Sequence, residues 1–256
     1  MLTLYDNAFS PFARKVRMVL EHKGLAFDVV DGLKMSNQAE LARVNPRREV
    51  PVLVDGDVSV VGSSHIVAYL EDAYPQRPVL PGEPRVRARA RHWERISDSL
   101  LDAILLNVSI WTWAERADSR PAGMLEKARD DIGVLYAALE RELADSAGGF
   151  VCGEFSLADI ALFPHLRSVR ALGLPIDDAA FPKLSGWLAR MDEVPVARAD
   201  TRRLRAWFAV RDKSEYERRR IFWRGDRLEW LLASGFHEWL MQEIREGRVS
   251  WPQPGA

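Results

Sequence analysis

The sequence predicts a small α/β layer followed by an all-helical region. Three observations carry that reading. A strand, a helix and a second strand fit within residues 2–30, a length that suggests a βαβ unit and a parallel pair. An Asp-Gly hairpin signal follows at 55–56. Beyond the proline-rich stretch 75–84, the apolar residues recur at helical spacing.

Composition narrows the class of protein. The chain has 256 residues, 47% hydrophobic and 29% charged, enough for a real core and two domains. A net charge of −1 gives no global field favouring nucleic acid or a membrane surface. The single cysteine, Cys152, excludes an internal disulfide and fits a reducing, cytoplasmic compartment. The chain opens directly on strand residues and no apolar run approaches ~18 residues, so neither a signal peptide nor a membrane span is expected. No His/Cys cluster has metal-ligand spacing.

Leu2 to Tyr5 suit a short buried strand, broken by Asp6, Asn7 and Ala8. Ser10 sits where a helix N-cap belongs, and Pro11 occupies the first helical position. Phe12, Val16, Val19 and Leu20 share one face of the helix, with Lys15 and Arg17 expected to point away from it. Lys23-Gly24 closes this helix, and Phe27 to Val30 form the second strand. Ser36 to Val44 read as a short helix capped by Ser36 and ended by Asn45-Pro46. Apolar strands then flank Asp55-Gly56. Pro51 cannot donate to a ladder, so its neighbours are expected to offer backbone groups to an extended peptide. Ser63 or Ser64 caps the helix over 65–73.

The chain thus divides into 1–76, a stiff linker 77–84, a helical domain 85–199 and an extension 200–256. Helices are expected over 85–115, 122–144, 157–171 and 181–193, the third opened by a capping box of Ser156 and Asp159. The extension begins with a basic segment, 202–227, holding ten basic and four acidic residues. That charge invites a nucleic-acid reading, but a solvated helix face accounts for it in a near-neutral chain without a nucleic-acid motif. Residues 228–244 continue with apolar helical spacing interrupted at Gly235. Five of the nine tryptophans lie after residue 200, so the tail is expected to pack back over the body and narrow the cleft.

Chemistry concentrates at two helix starts. The Ser10 hydroxyl, at the positive end of a helix dipole, suits stabilisation of an anion such as a thiolate; a plain N-cap is the alternative. The start at Ser63 and Ser64 suits a carboxylate. Tyr5 is assigned to core packing, His65 to a surface or packing role, Cys152 to an inert thiol and Asp159 to a cap. Ile110, Trp111 and Trp113, midway along the long helix, form either an apolar acceptor wall or helix packing.

Four pieces of this sequence resemble the cytosolic glutathione transferases. Ser10 to Arg17 is similar to the first-helix start of serine-type members, and Asn45-Pro46 with Val50-Pro51 resembles the segment carrying the family's cis-proline. Ser63 with Ile66 to Leu70 resembles the opening of the third helix, and Gly153 to Ile160 the capping motif of the helical domain. The resemblance spans about residues 1–197 and implies a thioredoxin-like domain joined to an all-helical bundle. It implies glutathione as co-substrate, bound by Glu49, Val50, Pro51, Ser63 and Ser64, with Ser10 as the activating hydroxyl. It further implies a small electrophile near Phe12, Ile110 and Trp111, a homodimer, and no metal, nucleic acid or membrane. Gly62 and Glu49 depart from the pattern, which has an acid and a Lys or Gln there; Arg48 stands where glycine is common. A non-enzymatic relative whose extension engages a partner is the alternative.

Overall fold

The computed structural model describes residues 1–113, 120–217, 219–221 and 224–251, with the side chains of 110–113, 220 and 221 left aside. Strands β1 (Leu2–Asp6), β2 (Phe27–Asp31), β3 (Val52–Asp55) and β4 (Val58–Val61) form a sheet of order β2-β1-β3-β4. β1 pairs parallel with β2 and antiparallel with β3, which pairs antiparallel with β4. The expected βαβ unit and hairpin are both present, although the two residues that turn the hairpin are Gly56 and Asp57, with Gly56 at φ +61°. Helices α1 (Pro11–Lys23), α2 (Gln38–Val44) and α3 (Ser63–Ala73) complete this layer, giving the thioredoxin-like arrangement.

Helical structure follows: α4 (Pro84–Ile96), α5 (Asp102–Trp113), α6 (Met124–Ala144), α7 (Leu157–Leu166), α8 (Pro182–Met191) and α9 (Pro195–Val210). The helix expected over 85–115 is interrupted at Ser97–Leu101 by a π-helical turn between α4 and α5. Such wide turns gather at functional sites because the extra residue rotates the following face. The helix expected over 157–171 stops at Leu166, and a short 3₁₀ turn occupies Val169–Leu172. α9 runs unbroken through residue 200. Beyond it lie β5 (Arg220–Ile221), α10 (Gly225–Ala233), α11 (His237–Arg245) and β6 (Val249–Ser250), with Gly235 at φ +83° separating the two helices.

Three local expectations are corrected. Ser36 does not cap α2: Asn37 occupies that place and makes no side-chain cap bond. Neither Ser63 nor Ser64 caps α3, because Gly62 is the N-cap residue and both serines are already helical. Lys15 and Arg17 do not face solvent. Lys15 is 1% exposed, with Nζ 2.8 Å from Glu94 Oε1 and 2.6 Å from Asp98 Oδ2; Arg17 pairs with the buried Asp6. The apolar face of α1 is real, but its opposite side is covered by the helical layer. Burial pulls the Lys15 ammonium down, yet Asp98 and Glu94 carry its pKa above the ordinary lysine value.

The extension is fastened at depth. Leu231, Leu240 and Met124 form a small core of their own, and Trp230 Nε1 donates to Asp131 Oδ2 at 2.9 Å. Arg227, 4% exposed, holds Asp102 through Nε–Oδ2 at 2.8 Å and a second nitrogen at 3.1 Å from Oδ1. Burial raises the Asp102 carboxyl, but the Arg227 charge and His165 outweigh it and hold the group at about 2. Removing one partner of a buried pair strands the other charge, so Arg227→Met should lower the unfolding free energy by about 3–5 kcal/mol in a urea titration. Because Asp102 falls from 3.8 to about 2 on folding, its stabilisation is complete above pH 3.8 and disappears as pH falls through about 2. Acid unfolding followed by tryptophan fluorescence should therefore begin at higher pH in that variant.

Candidate functional site

The sheet register brings the singled-out segments together. Val52, the first residue of β3, lies between Tyr5 of β1 and Val61 of β4. β1 runs out of the sheet towards Ser10 at the same end where Val50-Pro51 enters β3 and β4 leaves for α3. The Val50-Pro51 bond is cis, and Gly62 N–H donates to Pro51 O at 3.3 Å.

The loop into α1 is held by Asn7. Its Oδ1 accepts from Phe9 N–H at 3.0 Å, its Nδ2 donates to Asp31 Oδ1 at 3.0 Å, and its carbonyl accepts from Ser10 N–H at 3.0 Å. Ser10 is extended (φ −68°, ψ 116°), half-buried, and its Oγ accepts from Ala13 N–H at 3.4 Å. That bond is long and uses one lone pair, so the hydroxyl proton stays available for donation.

Glu49 turns its carboxylate to Arg47, 2.9 Å away, while its carbonyl accepts from Asn45 Nδ2 at 3.1 Å. Ser63 is buried at the first position of α3. Ser64 donates to Asp98 Oδ2 at 3.1 Å, so its hydroxyl faces the helical layer. Gly62 has φ +91°, a region that favours glycine, and a Cβ there would stand 3.3 Å from His65 Nδ1. No side-chain acid is supplied at that position.

The other assignments fall out simply. Tyr5 is buried and donates to Glu40 Oε1 at 2.7 Å. His65 Nδ1 sits 3.0 Å from Val61 O on the surface. Asp159 is fully buried and accepts from Ser156 N–H, Val151 N–H and Trp187 Nε1 at 2.8–3.0 Å, as a cap and core anchor. Burial pushes its carboxyl up in spite of those donors.

Beside Ser10 lies a largely apolar cavity of about 240 Å³. Phe9 and Pro11, which flank Ser10, both line it, with Leu105, Leu204, Phe208 and His165 among its other walls. Phe12 does not line it; that ring is 8% exposed and packed against His165, Arg224 and Arg227. The side chains of Ile110, Trp111 and Trp113 lie outside the described residues. α9 and the segment after it close the cavity from one side. Trp207 stacks on Phe9 with centroids 5.9 Å apart, and Tyr216 OH, 3.2 Å from Trp207 Nε1, donates to Asp31 Oδ2 at 2.8 Å. Lys34 and Glu215 add an ion pair at 2.8 Å. Sequence reasoning missed His165, Asp102, Arg211 and Arg227. For His165 and Asp102 the visible signal is polarity inside strongly apolar helical runs, as at Phe163-Pro164-His165-Leu166; Arg211 and Arg227 lie in the basic segment 202–227.

Among the described residues, no group of three His, Cys, Asp or Glu side chains could hold a metal, and no helix is long and apolar enough to cross a membrane.

Comparison with known proteins gives matches over both layers. Residues 4–78 match the model for the glutathione S-transferase N-terminal domain, and 125–190 that for the glutathione S-transferase C-terminal domain. Glutathione S-transferase 1 of Dianthus caryophyllus is 34% identical over 191 residues, covering 72% of this chain and 83% of that protein. A Methylobacterium radiotolerans glutathione S-transferase, solved with glutathione sulfonate, is 29% identical with TM-score 0.65, covering 78% of this chain and 93% of its own. A Methylobacillus flagellatus counterpart, solved with glutathione bound, is 26% identical with TM-score 0.64, covering 78% and 98%.

Cys152 is 7% exposed, and burial pushes its thiol up from the ordinary cysteine value. A chromogenic disulfide reagent should therefore leave the native protein untouched and titrate its one thiol only after denaturation; rapid native labelling would refute the inert assignment.

Proposed function

The chain belongs to the glutathione S-transferase family, and we propose that it activates the glutathione thiol for attack on a small electrophile, Ser10 donating a hydrogen bond to the thiolate. One observation carries this reading. Ser10, Val50-Pro51 and the start of α3 converge at one end of the sheet, beside a cavity lined by both neighbours of Ser10.

Glutathione lies extended along Val50 beside cis-Pro51, in the region bounded by Glu49. Its γ-glutamyl carboxylate rests on the first backbone N–H groups of α3, at Ser63 and Ser64, where unpaired donors and the helix dipole favour an anion. Its thiol reaches Ser10. There the hydroxyl and the dipole of α1 lower the thiol pKa. A hydroxyl cannot exchange disulfides, so the chemistry is conjugation, addition or isomerisation. The electrophile occupies the apolar cavity. The protein acts in the cytoplasm and as a homodimer, an oligomeric state that sedimentation at micromolar concentration would report directly.

A second reading, a non-enzymatic binding protein, draws on Gly62. Lacking an ionic partner for the glutathione ammonium weakens binding by on the order of 1–3 kcal/mol, about ten- to a hundredfold. Calorimetry with glutathione and a panel of electrophiles separates the two; absence of both heat and conjugation would leave only the second.

Ser10→Ala should lower kcat by about 10²–10³, the usual loss for one preorganised donor to a reacting anion. The KM for glutathione should move less than about threefold, because the tripeptide is held elsewhere. An unchanged kcat would remove Ser10 from the chemistry.

A further inference from the structure

The acceptor cavity carries one more cation than its surroundings neutralise. Besides His165, the charged side chains that line it are Arg14, Arg167, Arg211 and Asp102. Three of these have an opposite charge of their own: Arg14 holds Asp200, Arg167 holds Asp192 at 3.0 Å, and Asp102 is held by Arg227. Arg211 meets no carboxylate among the described residues. It stands half-buried at the C-cap of α9, where Nη1 donates to Phe208 O at 2.7 Å. That cap uses one nitrogen. Nε is buried without a partner, and Nη2 makes no bond among the described residues. The guanidinium is held in place by two rings, its carbon 4.4 Å from the Phe208 centroid and 5.3 Å from that of Trp207. Phe208 is itself part of the cavity wall. A cation stacked on aromatic faces, partly out of water and with donors to spare, is preorganised for a carboxylate.

We propose that Arg211 selects acceptors that carry a carboxylate, so that the preferred second substrate is a small apolar organic acid. This rests on the glutathione transferase reading above. The apolar body of the acceptor lies against Leu105, Leu204 and Phe208, its electrophilic carbon turns towards Ser10, and its carboxylate accepts from Arg211. The other charges of the cavity cannot compete for that carboxylate, because each is already committed to a partner. The low polarity of the remaining wall strengthens the one ion pair that forms there. The cavity, about 240 Å³, falls below the usual range for drug-sized ligands and suits a single ring with its acid group. Arg211 acts on binding and takes no part in the bond that is made.

The test uses the full chain and two acceptors that differ by one carboxylate, 1-chloro-2,6-dinitrobenzene and 4-chloro-3,5-dinitrobenzoate. In each, the thiolate sulfur bonds to the carbon bearing chlorine, chloride leaves with the bonding pair, and the thiol proton passes to solvent. Dividing each kcat/KM by the rate constant for free glutathione thiolate removes intrinsic reactivity. Wild type should then favour the benzoate by about tenfold or more. Arg211→Gln should abolish that preference, and Arg211→Lys, which keeps the charge and loses the planar fork, should fall between. Calorimetry with the unreactive pair 3,5-dinitrobenzoate and 1,3-dinitrobenzene reads the same contact in wild type, and stands even if a variant fails to fold; the benzoate should bind about tenfold tighter or more. No preference in wild type, or a preference that Arg211→Gln leaves intact, would overturn the assignment. So would a rise in the glutathione KM of Arg211→Gln that is equal for both acceptors, which would put Arg211 on the tripeptide instead. A wild type that keeps the calorimetric preference but neither binds glutathione nor releases chloride would overturn the transferase reading and leave Arg211 as an anion-binding residue.

Discussion

The position of α1 depends on a guanidinium buried between the two layers. Arg14 binds Asp200 of α9 through Nε at 3.0 Å and a terminal nitrogen at 2.6 Å, and its other terminal nitrogen reaches Pro164 O at 2.9 Å. Both side chains are under 5% exposed, so water does not share the charge. Such a pair costs much desolvation and adds little net stability, but its geometry is demanding. A planar fork that must meet α7 and α9 together admits few placements of the helix that carries it. One residue on, Lys15 does the same towards α4 and the wide turn beyond it. The helix whose first turn presents Ser10 is thereby fixed to the helical layer at successive positions.

This explains how an extension remote in sequence bears on the chemistry. α9 supplies Asp200 to Arg14 and, one and two turns further, supplies Leu204 and Phe208 to the cavity. The chain then crosses to Asp31 and Lys34 beside the Asn7 loop, and returns to put Arg227 against Asp102. The contacts at Arg14 and Asp31 join α9 and the extension to the sheet layer near Ser10, and Arg227 ties the extension to α5. The aromatic residues on this path act as packing, with Trp207 and Phe208 around Phe9, while Arg203 meets Glu21 of α1 at 2.7 Å.

Much of this was legible in the sequence because it is local. Ser10-Pro11, Gly24, the hairpin around Gly56 and Ser156…Asp159 each state their conformation within a few residues. Periodicity misled where it treats charge as solvent-facing. Lys15 borders the apolar stripe of α1, and nothing within one turn reveals that a second layer covers it. The partner of Arg227 is 125 residues away and that of Arg14 is 186. No window short enough to show a period can hold such pairs. Serine at 36, 63 and 64 suits a cap by residue type, but the backbone gives those places to Asn37 and Gly62. Phe12 is an acceptor candidate only through the family resemblance, and tertiary packing against His165, Arg224 and Arg227 closes it off.

The most direct measurement is the ionisation of the bound thiol. Thiolate absorbance of glutathione held by the wild-type protein, titrated against pH and compared with Ser10→Ala, isolates the hydroxyl from every later step. Wild type should ionise at least one pH unit below the ~8.5 of a free thiol, and Ser10→Ala should return towards that value. Identical titrations in the two proteins, with glutathione bound in both, would contradict the account.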